Sequence, residues 1–138
     1  MASADLQWQI IRKSSCFLHR QRGVPKHFSR EPMNLKGVNS RRYNGLINQK
    51  AVGVQAAPTA KGLVVTFKKK GKANKPRDSV VRVSLEKDGR RTLKSVRNLV
   101  KSHGNPHHKM LAMRRASQIL RSQKPKPQRV AKKGRIEA

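Results

Sequence analysis

Charge limits this chain more than hydrophobicity does. Of its 138 residues, 34 are Lys or Arg and only 6 are Asp or Glu, a formal net charge of +28. The six acids are Asp5, Glu31, Asp78, Glu86, Asp88 and Glu137. Residues 32–77 contain no carboxylate and eleven Lys or Arg, and residues 89–136 contain none and fifteen. A compact chain so unbalanced repels itself. Soluble surfaces ordinarily intersperse both signs. Two acid-free stretches of this length therefore predict a polyanionic partner.

The polyanion could be nucleic acid, an acidic protein or an anionic membrane. Apolar runs such as Leu63-Val64-Val65 are far too short to span a bilayer. No N-terminal apolar run has signal-peptide length. Cys16 is the single cysteine, which leaves no intramolecular disulfide and no cysteine-based zinc site. A reducing cytosolic or nuclear compartment is expected. Hydrophobic residues make up 35% of the chain and aromatics 4%. That suffices for a modest core carrying basic extensions.

The pattern predicts an α+β fold. A short N-terminal helix should cover 3–13, with Ser3 as its cap, Asp5 in the first turn and Leu6, Trp8, Ile10 and Ile11 forming an apolar face. Residues 14–45 mix Gly, Pro and Ser with cations and scattered apolar residues. They read as an irregular basic arm, centred on about 18–45, with room for a short strand near 16–19. Strands are expected over 46–54, 62–69 and 79–86, forming a small antiparallel three-stranded sheet. Two packed helices should follow. The first, over 90–102, is capped by Asp88 and buries Leu93, Val96, Leu99 and Val100. The second, over 106–121, starts at Asn105-Pro106 and presents Met113, Ala116 and Leu120, flanked by Ala112 and Ile119. Residues 1–121 thus form one domain, and 122–138 a basic disordered tail.

Catalysis finds little to build on. Asp5 and Glu31 stand alone in sequence, and Glu86 and Asp88 border a helix start, where acids act as caps. Cys16 and His19 lack an orienting partner. His103, His107 and His108 have no fourth metal ligand near them, so they read as extending the basic surface or contacting phosphate and base edges rather than as a metal site. No phosphate-loop pattern is present. Arg114-Arg115-Ala116-Ser117 has the form of a basic-directed kinase site, but a packed helix is the plainer reading.

RNA binding fits the pattern. Backbone neutralisation needs Lys and Arg along a track. The arm offers Arg20, Arg22, Lys26, Arg30, Lys36, Arg41 and Arg42. His27, Phe28 and Tyr43 lie among them, able either to stack on unpaired bases or to anchor the arm to the core. Lys13 ends the first helix, and Lys68, Lys69 and Lys70 mark a basic hairpin tip. An extended arm suits folded RNA, and 18–45 and 122–138 are expected to order on binding it.

Three blocks then carry a family resemblance. The first is Leu6-Gln7-Trp8 with Ile11-Arg12. The second comprises Phe28-Ser29-Arg30-Glu31-Pro32, Asn34-Leu35, Asn39-Ser40 and Arg42-Tyr43-Asn44-Gly45-Leu46. The third runs from Arg114 to Pro125. In this order they resemble the eukaryote-specific large-subunit (60S) ribosomal proteins numbered twenty-eight. The resemblance implies a structural, non-enzymatic component of the cytosolic large subunit without a cofactor. Implied partners are large-subunit rRNA, neighbouring large-subunit proteins and, during assembly through the nucleolus, nuclear import receptors, with no membrane or small-molecule substrate. It also makes Asn39 to Leu46 and Arg114 to Lys124 RNA-facing or RNA-supporting stretches. That adds Asn39, Asn44, Arg114, Arg115, Arg121 and Lys124 to the candidate RNA-binding residues. The connector Gly104-Asn105-Pro106-His107-His108-Lys109 departs from the family pattern. A pre-ribosome assembly factor and a chromatin-type DNA condenser are the competing readings.

Overall fold

The computed structural model describes residues 2–59, 61–72 and 75–125. Helix α1 spans Ala4–Ile11, and the Ser3 hydroxyl accepts a hydrogen bond from the Leu6 amide at 3.3 Å. The expected apolar face is only partly used. Trp8 and Ile11 are half-buried, while Leu6 and Ile10 face solvent. Strands β1 (Leu18–His19) and β2 (Phe28–Ser29) then form a short antiparallel hairpin, with Leu18 opposite Ser29. The sequence indicated the first of these strands and not its partner.

The strand expected over 46–54 is displaced. Residues 46–50 turn, and β3 covers Val52–Ala56. The cause is local. The Asn44 side chain accepts from the amides of Leu46 and Ile47, and the Asn48 side chain donates to the carbonyls of Arg41, Arg42 and Asn44. Such side-chain-to-backbone bonds compete with a strand ladder for the same groups. They also hold Arg41–Tyr43 as a single 3-10 turn.

β4 (Leu63–Lys68) and β5 (Val80–Leu85) complete an antiparallel sheet of order β3-β4-β5. Register aligns Val52, Phe67 and Val81 in one row and Val54, Val65 and Val83 in the next. With period two these rows share a face. Leu63, Val65 and Phe67 there are shielded from water. Fully burying a side chain of this kind stabilises by about 1.5–3 kcal/mol.

Two helices cover that face. α2 (Gly89–Ser102) starts at Asp88, whose carboxylate accepts from the Arg90 amide. Val96 and Val100 are buried as expected, and Leu93 and Leu99 are half-buried. Thr92, unmarked in the sequence, is fully buried because its hydroxyl donates to the Lys87 carbonyl at 2.8 Å. α2 ends in a paired-hydrogen-bond terminus, with the Gly104 amide on the Lys101 carbonyl and the Asn105 amide on the Val100 carbonyl. Pro106–His108 makes one 3-10 turn, and α3 covers Lys109–Ser122. Ala112 and Ala116 are fully buried beneath α3, and these small side chains let it lie close to α2 and the sheet.

Residues 31–46 straddle the outer edge of β3. On the sheet face away from the helices, Lys68 donates to the carbonyls of Gly45 and Leu46. On the helix side, Leu35 packs against the core. A Cβ on Gly53 would stand 2.6 Å from the Pro32 carbonyl oxygen, and one on Gly45 would stand 2.5 Å from the Met33 Cβ. Gly53 thus admits the arm to the sheet, and Gly45 lets the arm close on itself. The expectation of an arm ordered only by RNA did not include these internal partners. At the other end, Gln123 follows α3 and exchanges two hydrogen bonds with the Gly62 backbone, at 2.9 and 3.0 Å. The remainder of the expected tail, 126–138, lies outside the described residues.

Crowding at Gly53 gives a direct prediction. Gly53→Ala should lower unfolding stability by about 1–3 kcal/mol through overpacking against backbone. Gly89→Ala, with open space at its Cβ position at the first residue of α2, should leave stability within about 0.5 kcal/mol. Urea midpoints of the two variants check this.

Candidate nucleic-acid interface

The candidate interface is organised by a carboxylate. Glu31 is 6% exposed. One of its oxygens accepts from the Ser29 hydroxyl at 2.7 Å and the Asn44 amide nitrogen at 2.9 Å, and the other accepts from the Gly45 backbone at 2.8 Å. All three donors lie on the arm or the turn that follows it. A buried carboxylate demands such partners, because an unpaired one is prohibitively costly. Its bonds therefore fix 29–31 against 44–45, and so fix where the neighbouring cations stand.

Three surface grooves result. The first lies between the arm and α3, where Arg30 and Lys36 face Arg114, Arg115 and Gln118, with Asn34 and Gln55 in the floor. The Glu31 carboxylate borders it but is bonded inward. Four cations from segments some eighty residues apart thus share one groove. Arg121 lies seven residues after Arg114, on the same side of α3. Lys124 is exposed just beyond. The second groove joins Ser40, Arg41, Arg42, Asn48, Gln49 and Lys50 to Asn105 and His108. The third sets Lys68, Lys69 and Lys70 beside α1 and residues 46–47. Lys13, Arg20, Arg22 and Lys26 are exposed around the β1–β2 hairpin, apart from these grooves.

Several candidates are committed to the protein itself. Asn44 is buried and its side chain serves Glu31, Leu46 and Ile47. Asn39 donates to the Arg12 carbonyl at 2.8 Å, tying the arm to the end of α1. Lys68 is half-buried against two carbonyls, and burial lowers its pKa. Phe28 and His27 are half-buried, with Phe28 pairing opposite both His19 and Val38. The Tyr43 ring meets His108 edge-on at 5.9 Å and has the Lys36 ammonium 5.2 Å from its centroid. It joins the arm to the start of α3, which is the anchoring role.

Sequence reasoning missed Lys50 and Gln118 as groove residues. Lys50 had a signal: the triplet Asn48-Gln49-Lys50 is too polar for the strand expected there. Gln118 had none. The histidines separate in space. His103 stacks on Phe67 at 4.1 Å, whereas His108 faces Tyr43. Among the described residues, no three His, Cys, Asp or Glu side chains gather around a metal-sized site. The Ser117 hydroxyl donates to the Arg114 carbonyl within α3. Among the described residues, no helix is long and apolar enough to cross a membrane.

Among the described residues one ion pair is formed, Arg41 with Asp5 at 2.6 Å. Among the described residues the other groove cations have no carboxylate partner. The fold is a small α+β scaffold whose surface gathers cations into grooves. The profile of the ribosomal L28e protein family matches residues 6–122. A Caenorhabditis elegans protein named large ribosomal subunit protein eL28 is 46% identical over 88% of this chain and 90% of its own length. Proteins of the same name from Schizosaccharomyces pombe and Dictyostelium discoideum are 36% and 34% identical, over 90% and 95% of this chain and 95% and 98% of their own lengths. The chain belongs to the ribosomal L28e protein family, whose members are structural components of the ribosome and not enzymes.

His108 makes the second groove sensitive to acid. Burial, then the charges of Arg42 and His107, lower its pKa. The unfolded chain therefore takes up this proton first as pH falls. Stability contributed by neutral His108 is present above the unfolded value of about 6.5 and declines below it. Thermal melts from about pH 7.5 to 5.5 should show falling stability, with a shallower fall in His108→Gln.

Proposed function

We propose that this chain is a structural constituent of the cytosolic large ribosomal subunit that binds and stabilises large-subunit rRNA and thereby contributes to translation. The observation that carries the reading is the arm–α3 groove, where Arg30, Lys36, Arg114 and Arg115 converge while the bordering carboxylate is bonded inward. Guanidinium and ammonium groups spaced along such a groove neutralise a phosphate track, and the polar floor hydrogen-bonds phosphate or ribose oxygens. Folded rRNA offers closely packed phosphates that can reach several grooves at once. The L28e relatives carry large-subunit names, which supports the particle assignment. Neighbouring large-subunit proteins would complete the surroundings. Import receptors and passage through the nucleolus complete the route to assembly.

The test is the salt dependence of binding to large-subunit rRNA fragments. Each phosphate contact contributes a slope of about −0.9 to −0.7 in log affinity against log salt. Arg114→Gln with Arg115→Gln should reduce the magnitude of the slope by roughly 1.5–2, weakening binding about equally across RNA sequences. An unchanged slope would remove the groove from the interface.

A further inference from the structure

The third groove, beside α1, differs from the other two in that its cations border an apolar surface. Among the described residues the exposed large hydrophobic side chains are Leu6, Ile10, Val24, Leu46 and Met110. Leu6, Ile10 and Leu46 are 54%, 64% and 48% exposed, and they belong to two segments that meet. Gln7, Ile10 and Ile11 of α1 face Leu46 and Ile47 across a shallow groove. It continues past Ala2 and Ala4 to Lys68, Lys69, Lys70 and Gly71. Leu6 and Ile10 lie four residues apart on one side of α1.

α1 is not loosely attached. The Arg41–Asp5 ion pair and the Asn39 bond to the Arg12 carbonyl fasten it by its polar side. The fold thus spends polar contacts on holding a helix none of whose residues is fully buried. A clustered apolar surface beside an otherwise cationic one marks an interaction site rather than a chance exposure.

We infer that the α1/residue-46 groove docks a segment of a neighbouring large-subunit protein that carries apolar side chains next to carboxylates. Charge complementarity selects this occupant. Lys69 and Lys70 are exposed at the groove's end, while Asp5 is already paired with Arg41. Lys68, held by two backbone carbonyls, shapes the wall instead of reaching outward. RNA is a poor fit, because unpaired bases stack on aromatic rings or guanidinium planes. The groove's lining is aliphatic, amide and ammonium. Burial of the apolar anchors would supply the affinity, and the two lysines the orientation.

The inference rests on assembly into the large subunit. Its test is made there, with a photo-crosslinking amino acid replacing Ile10 in the full chain, in large subunits purified through a high-salt wash. The expected result is a crosslink to one ribosomal protein, mapped to a segment with apolar residues flanked by Asp or Glu. Leu46→Ser, which removes a side chain lining the groove, should lower that yield by about tenfold, as loss of anchor contacts does. Lys69→Glu with Lys70→Glu, which leaves the apolar residues intact, should lower it too. Crosslinks to rRNA alone, or no crosslink in subunits that retain the protein, would overturn the docking inference and leave the ribosomal reading standing. Absence of the protein from washed subunits would overturn both.

Discussion

The buried Glu31 carboxylate is the contact on which the arrangement of this protein depends. It is an acid in a chain that has few, and it sits where the arm must be turned back on itself. Its oxygens accept from Ser29, Asn44 and Gly45. Asn44 then spends its carbonyl on the amides of Leu46 and Ile47. The turn so formed delivers the chain into β3 and places two carbonyls under the Lys68 ammonium. Losing the carboxylate would leave buried donors without an acceptor, at a cost of about 1–3 kcal/mol for each such group.

Charge balance explains why the scarce acids lie where they do. Asp88 caps α2, Asp5 meets Arg41 and favours the first turn of α1, and Glu31 closes the arm. Each is used to build the fold, so most of the exposed cations remain for a partner. The small core follows the same division. Leu63, Val65, Phe67, Val96, Val100, Ala112 and Ala116 supply it from the sheet and two helices alone. The arm adds Leu35 to that core and otherwise holds itself by hydrogen bonds.

Periodic features were legible in the sequence. Alternation in 63–68 and 80–85 gave the sheet, the Ser3 and Asp88 caps gave two helix starts, and Pro106 opened the last helical segment. What escaped were contacts that periodicity does not encode. Glu31 and Asp5 looked isolated because their distant partners, Asn44, Gly45 and Arg41, lie thirteen to thirty-six residues away. Residues 46–50 looked like strand because Leu46 and Ile47 outweighed the polar Asn48-Gln49-Lys50, of which Asn48 fastens a turn. Thr92 went unmarked because its hydroxyl's partner is a backbone carbonyl. Asn44 was placed among RNA-facing residues by resemblance, and the fold turns its side chain inward. Of the cationic candidates, the arm and α3 sets were visible separately. Their meeting in one groove depended on the arm crossing β3, which rests on Gly53 admitting close backbone approach.

Amide hydrogen exchange of the free protein, without RNA, tests most directly whether the Glu31 hub organises the arm. Protection of the Gly45, Leu46 and Ile47 amides, lost in Glu31→Gln while the β4 amides stay protected, is the result expected. Exchange of those three amides at unfolded-chain rates in the unaltered protein would contradict it, and would mean that RNA rather than Glu31 shapes the arm.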